Sequence, residues 1–160
     1  MRTVEDLLGE VPALTPLSAE HRALVAGCGR NRVFEPGSLL MREGEPAQAF
    51  HVIRAGSVAI QTFVPKRGEV TIETLHEGDL VGWSWLVPPY RGGFDARAID
   101  TTHAIEIDGA CLRGKFDRDA ALGYELLSLF APVIVERLQQ TRMRLLDVYG
   151  KVPRDPLAGP

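Results

Sequence analysis

Between Gly78 and Ala98 lies the stretch whose residue types and spacing best suit chemistry on an anion. Gly78-Asp79-Leu80-Val81-Gly82-Trp83-Ser84-Trp85-Leu86 sets two glycines around a short apolar run, and Phe94-Asp95-Ala96-Arg97-Ala98 returns after a loop. Glycine lets the backbone turn tightly and come close to a ligand. Main-chain N–H groups at the start of Leu80–Leu86, expected as a short helix, can hold a negative charge without a basic side chain. The same letters also fit an ordinary β-turn. Arg91 and Arg97 are the nearest guanidinium groups, and Arg97 shares a face with Asp95 in an extended strand. Each also suits a plainer role, Arg91 as a solvated loop charge and Arg97 as an exposed strand position or a partner of Asp95. Trp83, Trp85 and Tyr90 can stack on a flat heterocycle or fill its space, and Pro88-Pro89 stiffens the segment between them.

Other chemistries find little support. His21, His51, His76 and His103 are scattered without metal-ligand spacing, so no metal site is expected and an enzyme built on a histidine metal set is disfavoured. No Ser/His/Asp or Cys/His group can be argued from spacing, so no catalytic residue is assigned. Cys28 and Cys111 stand far apart with no C-x-x-C pair, which reads as two buried or idle thiols in a reducing cytosol. A net charge of −3 and a pI near 5.8 argue against direct DNA binding, which needs a basic face. The first residues lack the apolar core of a signal peptide, and no run approaches the roughly 18 apolar residues of a membrane span. A cytoplasmic protein without membrane association is expected.

The elements that must position the Gly78–Ala98 stretch read clearly. At 160 residues the chain fits one domain, long enough to bury about 70% of its unfolded surface. Residues 1–30 read as an N-terminal helical segment: a short helix over 3–8, a break at Pro12–Pro16, then a helix capped by Ser18 and stopped at Gly27 and Gly29. Residues 31–108 read as a β-roll with strands at 32–34, 38–42, 50–54, 57–63, 70–75, 80–82, 94–100 and 102–107. Val58–Phe63 and Val70–Leu75 make the clearest hairpin. Residues 109–149 turn helical, with a short piece at Cys111–Phe116 and a long one from Asp119 to Tyr149. In the long helix Leu127, Ala131, Ile134, Leu138, Thr141, Leu145 and Val148 follow the a/d rhythm of a two-stranded coiled coil, so this helix is expected to pair two copies of the chain, unless that face packs on the roll. Pro132 is expected to bend it. Residues 150–160 read as a loose tail after a stop at Gly150.

Taken together, Gly37, Gly44, Gly56, Gly78 and Gly82, each at a turn between short strands, with Phe34–Ala47 running into Phe50–Ile60, resemble the cyclic nucleotide-binding domain family. This is the sensory β-roll of catabolite-activator-like (Crp/Fnr-like) regulators and of cyclic-nucleotide-gated kinases and channels. The likeness covers about Leu7 to Tyr149. It implies a mainly β fold with flanking helices, a jelly-roll or double-stranded β-helix followed by a long C-terminal helix, and a non-catalytic sensor. It implies that residues 78–98 are the phosphate-binding cassette, so that Gly78, Asp79, Gly82, Trp83, Ser84, Arg91, Phe94, Asp95, Ala96 and Arg97 are candidate ligand residues. Thr141 and Arg142 are implied to approach the base from the long helix, although Thr141 equally suits a tolerated polar seam position.

The chain departs from the family pattern at two points. A ribose-binding Glu is expected where Trp83 stands, and a phosphate-binding Arg where Phe94 stands. A charged hydrogen bond in a buried site contributes about 1.5–3 kcal/mol, so losing two weakens binding by roughly a hundred- to ten-thousand-fold. No bound cofactor is assigned; the expected ligand is a cyclic nucleotide or other small anion in a divergent pocket, with output through a dimeric helix to a protein partner. The residues after Gly150 leave no room for the helix-turn-helix of DNA-binding relatives. The alternative is a ligand-free scaffold that keeps the roll to dock on another protein.

Overall fold

The computed structural model describes residues 1–149. The chain runs α1 (Val4–Gly9), a 3₁₀ turn (Pro12–Leu14), α2 (Ala19–Ala26), β1 (Gly29–Phe34), β2 (Leu39–Met41), β3 (Ala49–Ala55), β4 (Val58–Val64), β5 (Gly68–Leu75), β6 (Leu80–Val81), β7 (Asp95–Ala98), β8 (Thr102–Asp108), α3 (Gly109–Phe116) and α4 (Ala120–Tyr149). The eight strands form two antiparallel four-stranded sheets, ordered β1-β8-β3-β6 and β2-β7-β4-β5, and the helices lie against the first. This is the mainly β roll with flanking helices and a long C-terminal helix that the sequence predicts.

Local chemistry explains the borders. Ser18 Oγ accepts from the His21 N–H and starts α2, Thr3 and Asp6 form a capping box on α1, and Asp108 Oδ1 accepts from Cys111 N–H to start α3. Strand β3 is buried on both faces because strand side chains alternate. Its Phe50 and Val52 join Ile105, Ile107, Trp85, Leu122, Leu126 and Phe130 beneath the helices. Its Ile53 joins Met41, Val58, Ile60, Val81, Phe94 and Ala96 between the sheets.

Two expectations are corrected. Cys28 and Cys111 are not idle thiols: they are bonded to each other, with Cα atoms 5.8 Å apart. The pairing of Gly29 with Ile107 in β1–β8, and a hydrogen bond from Asp108 N–H to Cys28 O, bring the end of α2 onto the start of α3 despite a separation of 83 residues. Paired cysteines do not point to a reducing compartment. Leu80–Leu86 is not a helix either. Leu80 and Val81 pair with β3, Gly82 turns the chain at φ +91°, and two successive i to i+3 bonds, Leu86 N to Trp83 O and Val87 N to Ser84 O, carry it onward. Trp85 is drawn wholly into the helix-facing core, and Pro88 and Pro89 have no N–H with which to continue a helix.

α4 runs as one helix through Pro132. Gly150 and the tail expected at 150–160 lie outside the described residues. No helix among those described is long and apolar enough to cross a membrane.

Candidate functional site

The β6–β7 connection is built from both ends. Gly78 and Gly82 adopt φ +89° and +91°, which only glycine takes without strain. Asp79 is occupied within its own turn, its carboxylate accepting from His76 N–H at 2.8 Å. At Gly82 an added Cβ would also stand 3.1 Å from Met41 Cε, so the turn sits on the inner apolar wall. Gly92 comes closer still: a Cβ there would fall 2.5 Å from the Arg42 carbonyl oxygen. From α3, Arg113 clamps the far side, with its guanidinium 4.2 Å above the Tyr90 ring and Nη1 donating to Trp85 O.

The three aromatic residues of the segment divide their roles. Trp85 is fully buried beneath the helices, stacked on Phe50 at 5.1 Å and edge-on to Phe130 at 5.4 Å. Trp83 is half-buried and packs edge-on against Phe94, its ring centroid 6.3 Å away. Tyr90 stays at the rim under Arg113. Ser84 is buried with no partner on Oγ, and Trp83 Nε1 is likewise buried and unpartnered.

Strand alternation decides where β7 points. Phe94 and Ala96 face inward, 4% and 0% exposed, which turns Asp95 and Arg97 to the outer face. There Asp95 accepts from Glu43 N–H at 2.8 Å. Arg97 donates to Gly37 O at 2.7 Å, to Gln61 Oε1 and to Glu69 Oε1. Arg91, exposed, donates to Gly44 O at 3.0 Å. Both arginines of the segment thus pin the roll's own loops. On α4, Thr141 Oγ1 donates back to Arg137 O at 2.9 Å, and Arg142 is exposed.

The basic group that does reach the inner wall is one sequence reasoning missed. Arg137 lies on the buried face of α4, which carries Leu122, Leu126 and Phe130, and its guanidinium stands 5.3 Å over the Phe94 ring. Its Nε donates to Glu73 Oε2 at 3.1 Å, and its Nη1 is buried without a partner. Glu73 reaches it through a bulge: β5 places Ile72 between the pairs Ile60–Glu73 and Gln61–Thr71, so that Ile72 and Leu75 both point inward and Glu73 is set toward α4. A readable signal existed, since an arginine one heptad beyond Phe130 on an apolar stripe has to meet an acid or an anion.

Two sheets, a glycine-cornered β6–β7 connection and a long helix over its inner wall make up the roll. The cyclic nucleotide-binding domain profile matches residues 31–119, and the chain belongs to that family. Among curated proteins, the cAMP-dependent protein kinase regulatory subunit of Yarrowia lipolytica is 34% identical over 79 residues, covering 49% of this chain and 20% of that protein. The regulatory subunit of Schizosaccharomyces pombe is 33% identical over 78 residues, 49% of this chain and 18% of that protein. The chain therefore spans about a fifth of the length of these relatives. Among solved structures, a putative cyclic nucleotide-binding protein from Geobacter metallireducens aligns at TM-score 0.74 and 26% identity over 86% of this chain and 99% of that one. The sensor domain of the Pseudomonas aeruginosa transcriptional regulator DNR aligns at TM-score 0.66 and 19% identity over 84% and 91%, a likeness of fold.

Proposed function

We propose that the chain is a non-catalytic regulatory sensor whose pocket, diverged at Trp83 and Phe94, takes a small anion and whose α4 carries the response to a second copy and on to a protein partner. One observation carries this reading: α4 faces two ways. Leu122, Leu126, Phe130 and Arg137 are buried on the roll and its inner wall, while Leu127, Leu138 and Leu145 on another face are 50%, 60% and 49% exposed. An apolar stripe of that spacing is the surface a second helix covers, so one element touches both pocket and partner. The pI near 5.8 favours a protein over DNA as the downstream contact. In the cytoplasmic setting expected from sequence, the Cys28–Cys111 bond meets a reducing pool.

Calorimetry with cyclic AMP, cyclic GMP and sulfate tests the pocket. The expected result is weak or no binding of either cyclic nucleotide, because neither Trp83 nor Phe94 supplies the missing carboxylate or guanidinium. Submicromolar affinity for either would overturn the divergence.

A second reading has its own support. Trp83 and Phe94 pack on each other with Met41 beneath Gly82, which is apolar filling where a ligand would lie. If no anion binds under any condition, the chain is a ligand-free docking scaffold.

A further inference from the structure

We propose that Arg137 is the anion-binding residue of this pocket and that Glu73 is its built-in competitor, so that a small molecule bearing a phosphate oxyanion binds by taking the place of the Glu73 carboxylate. The inference rests on the sensor reading and names the charge on which that reading turns. Arg137 is 6% exposed, and a guanidinium at that depth needs acceptors for its fork of N–H donors. Glu73 satisfies Nε at 3.1 Å, while Nη1 has none. On the same Phe94 ring Trp83 brings a second buried donor, Nε1, which also lacks an acceptor. A buried guanidinium arm with no acceptor, packed on an apolar ring, calls for a ligand that accepts.

A phosphate oxyanion meets that need: it accepts several hydrogen bonds and engages both arms of a guanidinium, where Glu73 is recorded on Nε alone. The two arginines of the candidate segment are committed, Arg91 to Gly44 O and Arg97 to Gly37 O, Gln61 and Glu69. Glu73 holds the position a ligand anion would take, and with its side chain 22% exposed it has solvent to move into when displaced. Arg137 is part of α4, so exchanging its acceptor changes what fixes α4 to β5.

The test is thermal unfolding of the full chain, with inorganic phosphate or cyclic AMP titrated against chloride at equal ionic strength, since a ligand of the folded state raises Tm with its occupancy. Wild type, Glu73→Gln and Arg137→Gln are compared. Glu73→Gln, which keeps the shape and removes the competing charge, is expected to respond at roughly tenfold lower phosphate than wild type. Arg137→Gln is expected not to respond. Arg137→Lys, which keeps charge without the fork, should respond more weakly than wild type and stands in if the Gln variant fails to fold. Equal midpoints in wild type and Glu73→Gln overturn the competitor role. A wild-type response in both Arg137 variants removes Arg137 from the site. A response to cyclic AMP where phosphate gives none, if lost in Arg137→Gln, identifies the organic part as necessary and supports the same anchor; if kept in Arg137→Gln, it overturns that anchor. Silence in every protein, Glu73→Gln included, rejects the sensor reading itself.

Discussion

His21 on α2 is hydrogen-bonded through Nδ1 to the carboxylate of Glu125 on α4, so the N-terminal helix and the long helix are joined side chain to side chain. Its other nitrogen meets Asp119 Oδ2 at 3.1 Å, at the entry to the same helix. The hydrogen bond to Glu125 raises the His21 pKa above its usual 6.5, with the charges of Glu125 and Asp119 adding and burial opposing. A raised folded pKa contributes stability that is complete below 6.5 and is lost as pH rises through the folded value. Wild type is therefore expected to lose its advantage over His21→Gln as pH rises above 6.5. Melting curves of the two across that range check it; a constant difference would show that His21 does not titrate on the junction.

Glu106 is the acid of a second network, accepting from Arg30 Nε at 2.8 Å, Arg32 Nη1 at 2.9 Å and His51 Nε2 at 3.2 Å. The hydrogen bond from His51 is the largest influence and, with the two arginines, lowers the Glu106 pKa to about 2 against the opposing effect of burial. Its stabilisation is present above 4.5 and is lost as pH falls through about 2. Glu106→Gln should cost about 1 kcal/mol near neutral pH, a partly exposed network losing its charge, and should flatten the acid limb of the stability curve. Urea titrations at neutral and acid pH read both; an unchanged acid limb would place the pH dependence elsewhere.

Leu138 is 60% exposed on the roll-free face of α4, so a charge there costs the folded protomer little. Inside a helix pair the same charge is buried without a partner and costs several kcal/mol, roughly 3 or more. Light scattering should find a dimer for the wild type and a monomer for Leu138→Asp, with unchanged circular dichroism. One mass for both proteins would disprove the paired helix.

The Cys28–Cys111 bond closes a separation of 83 residues. In the chain-entropy view such a closure is worth about 4 kcal/mol, and less where the reduced chain keeps structure. Denaturant unfolding should show a drop of roughly 2–4 kcal/mol on reduction or in Cys28→Ser. Identical curves under oxidising and reducing conditions would mean that the bond does not form in solution, and alkylation of free thiols in freshly isolated protein reads which state the cell keeps.

What was legible in the sequence was legible for local reasons. Val58–Phe63 and Val70–Leu75 announced a hairpin through β-branched residues around a Lys-Arg-Gly turn, and Ser18 announced α2 by its oxygen. The turn at Gly82 was legible; the lack of a helix after it was not, because the pull of Trp85 into a core of Phe50 and Phe130 is a long-range effect that a local pattern does not contain. The cysteine pair was hidden for a similar reason, since only the registry of Gly29 with Ile107 makes the two neighbours. Arg137 was overlooked although it stands on the stripe that holds Leu126 and Phe130, because its acid, Glu73, reaches it through a bulge in β5.

Pro132 lies between two of the places where α4 is fastened, Phe130 in the helix-facing core and Arg137 over Phe94. Having no N–H, it leaves the ladder of the helix one rung short at Ser128. From Pro132 to Tyr149 the helix extends some 25 Å at about 1.5 Å per residue. If Arg137 lets go while Phe130 holds, that length is a lever with its fulcrum at the missing rung. A tilt of about 10° then sweeps the far end through roughly 4 Å, within the range of helix bending at proline, and a small exchange of acceptors at one arginine is geared up into a displacement that a second subunit can feel.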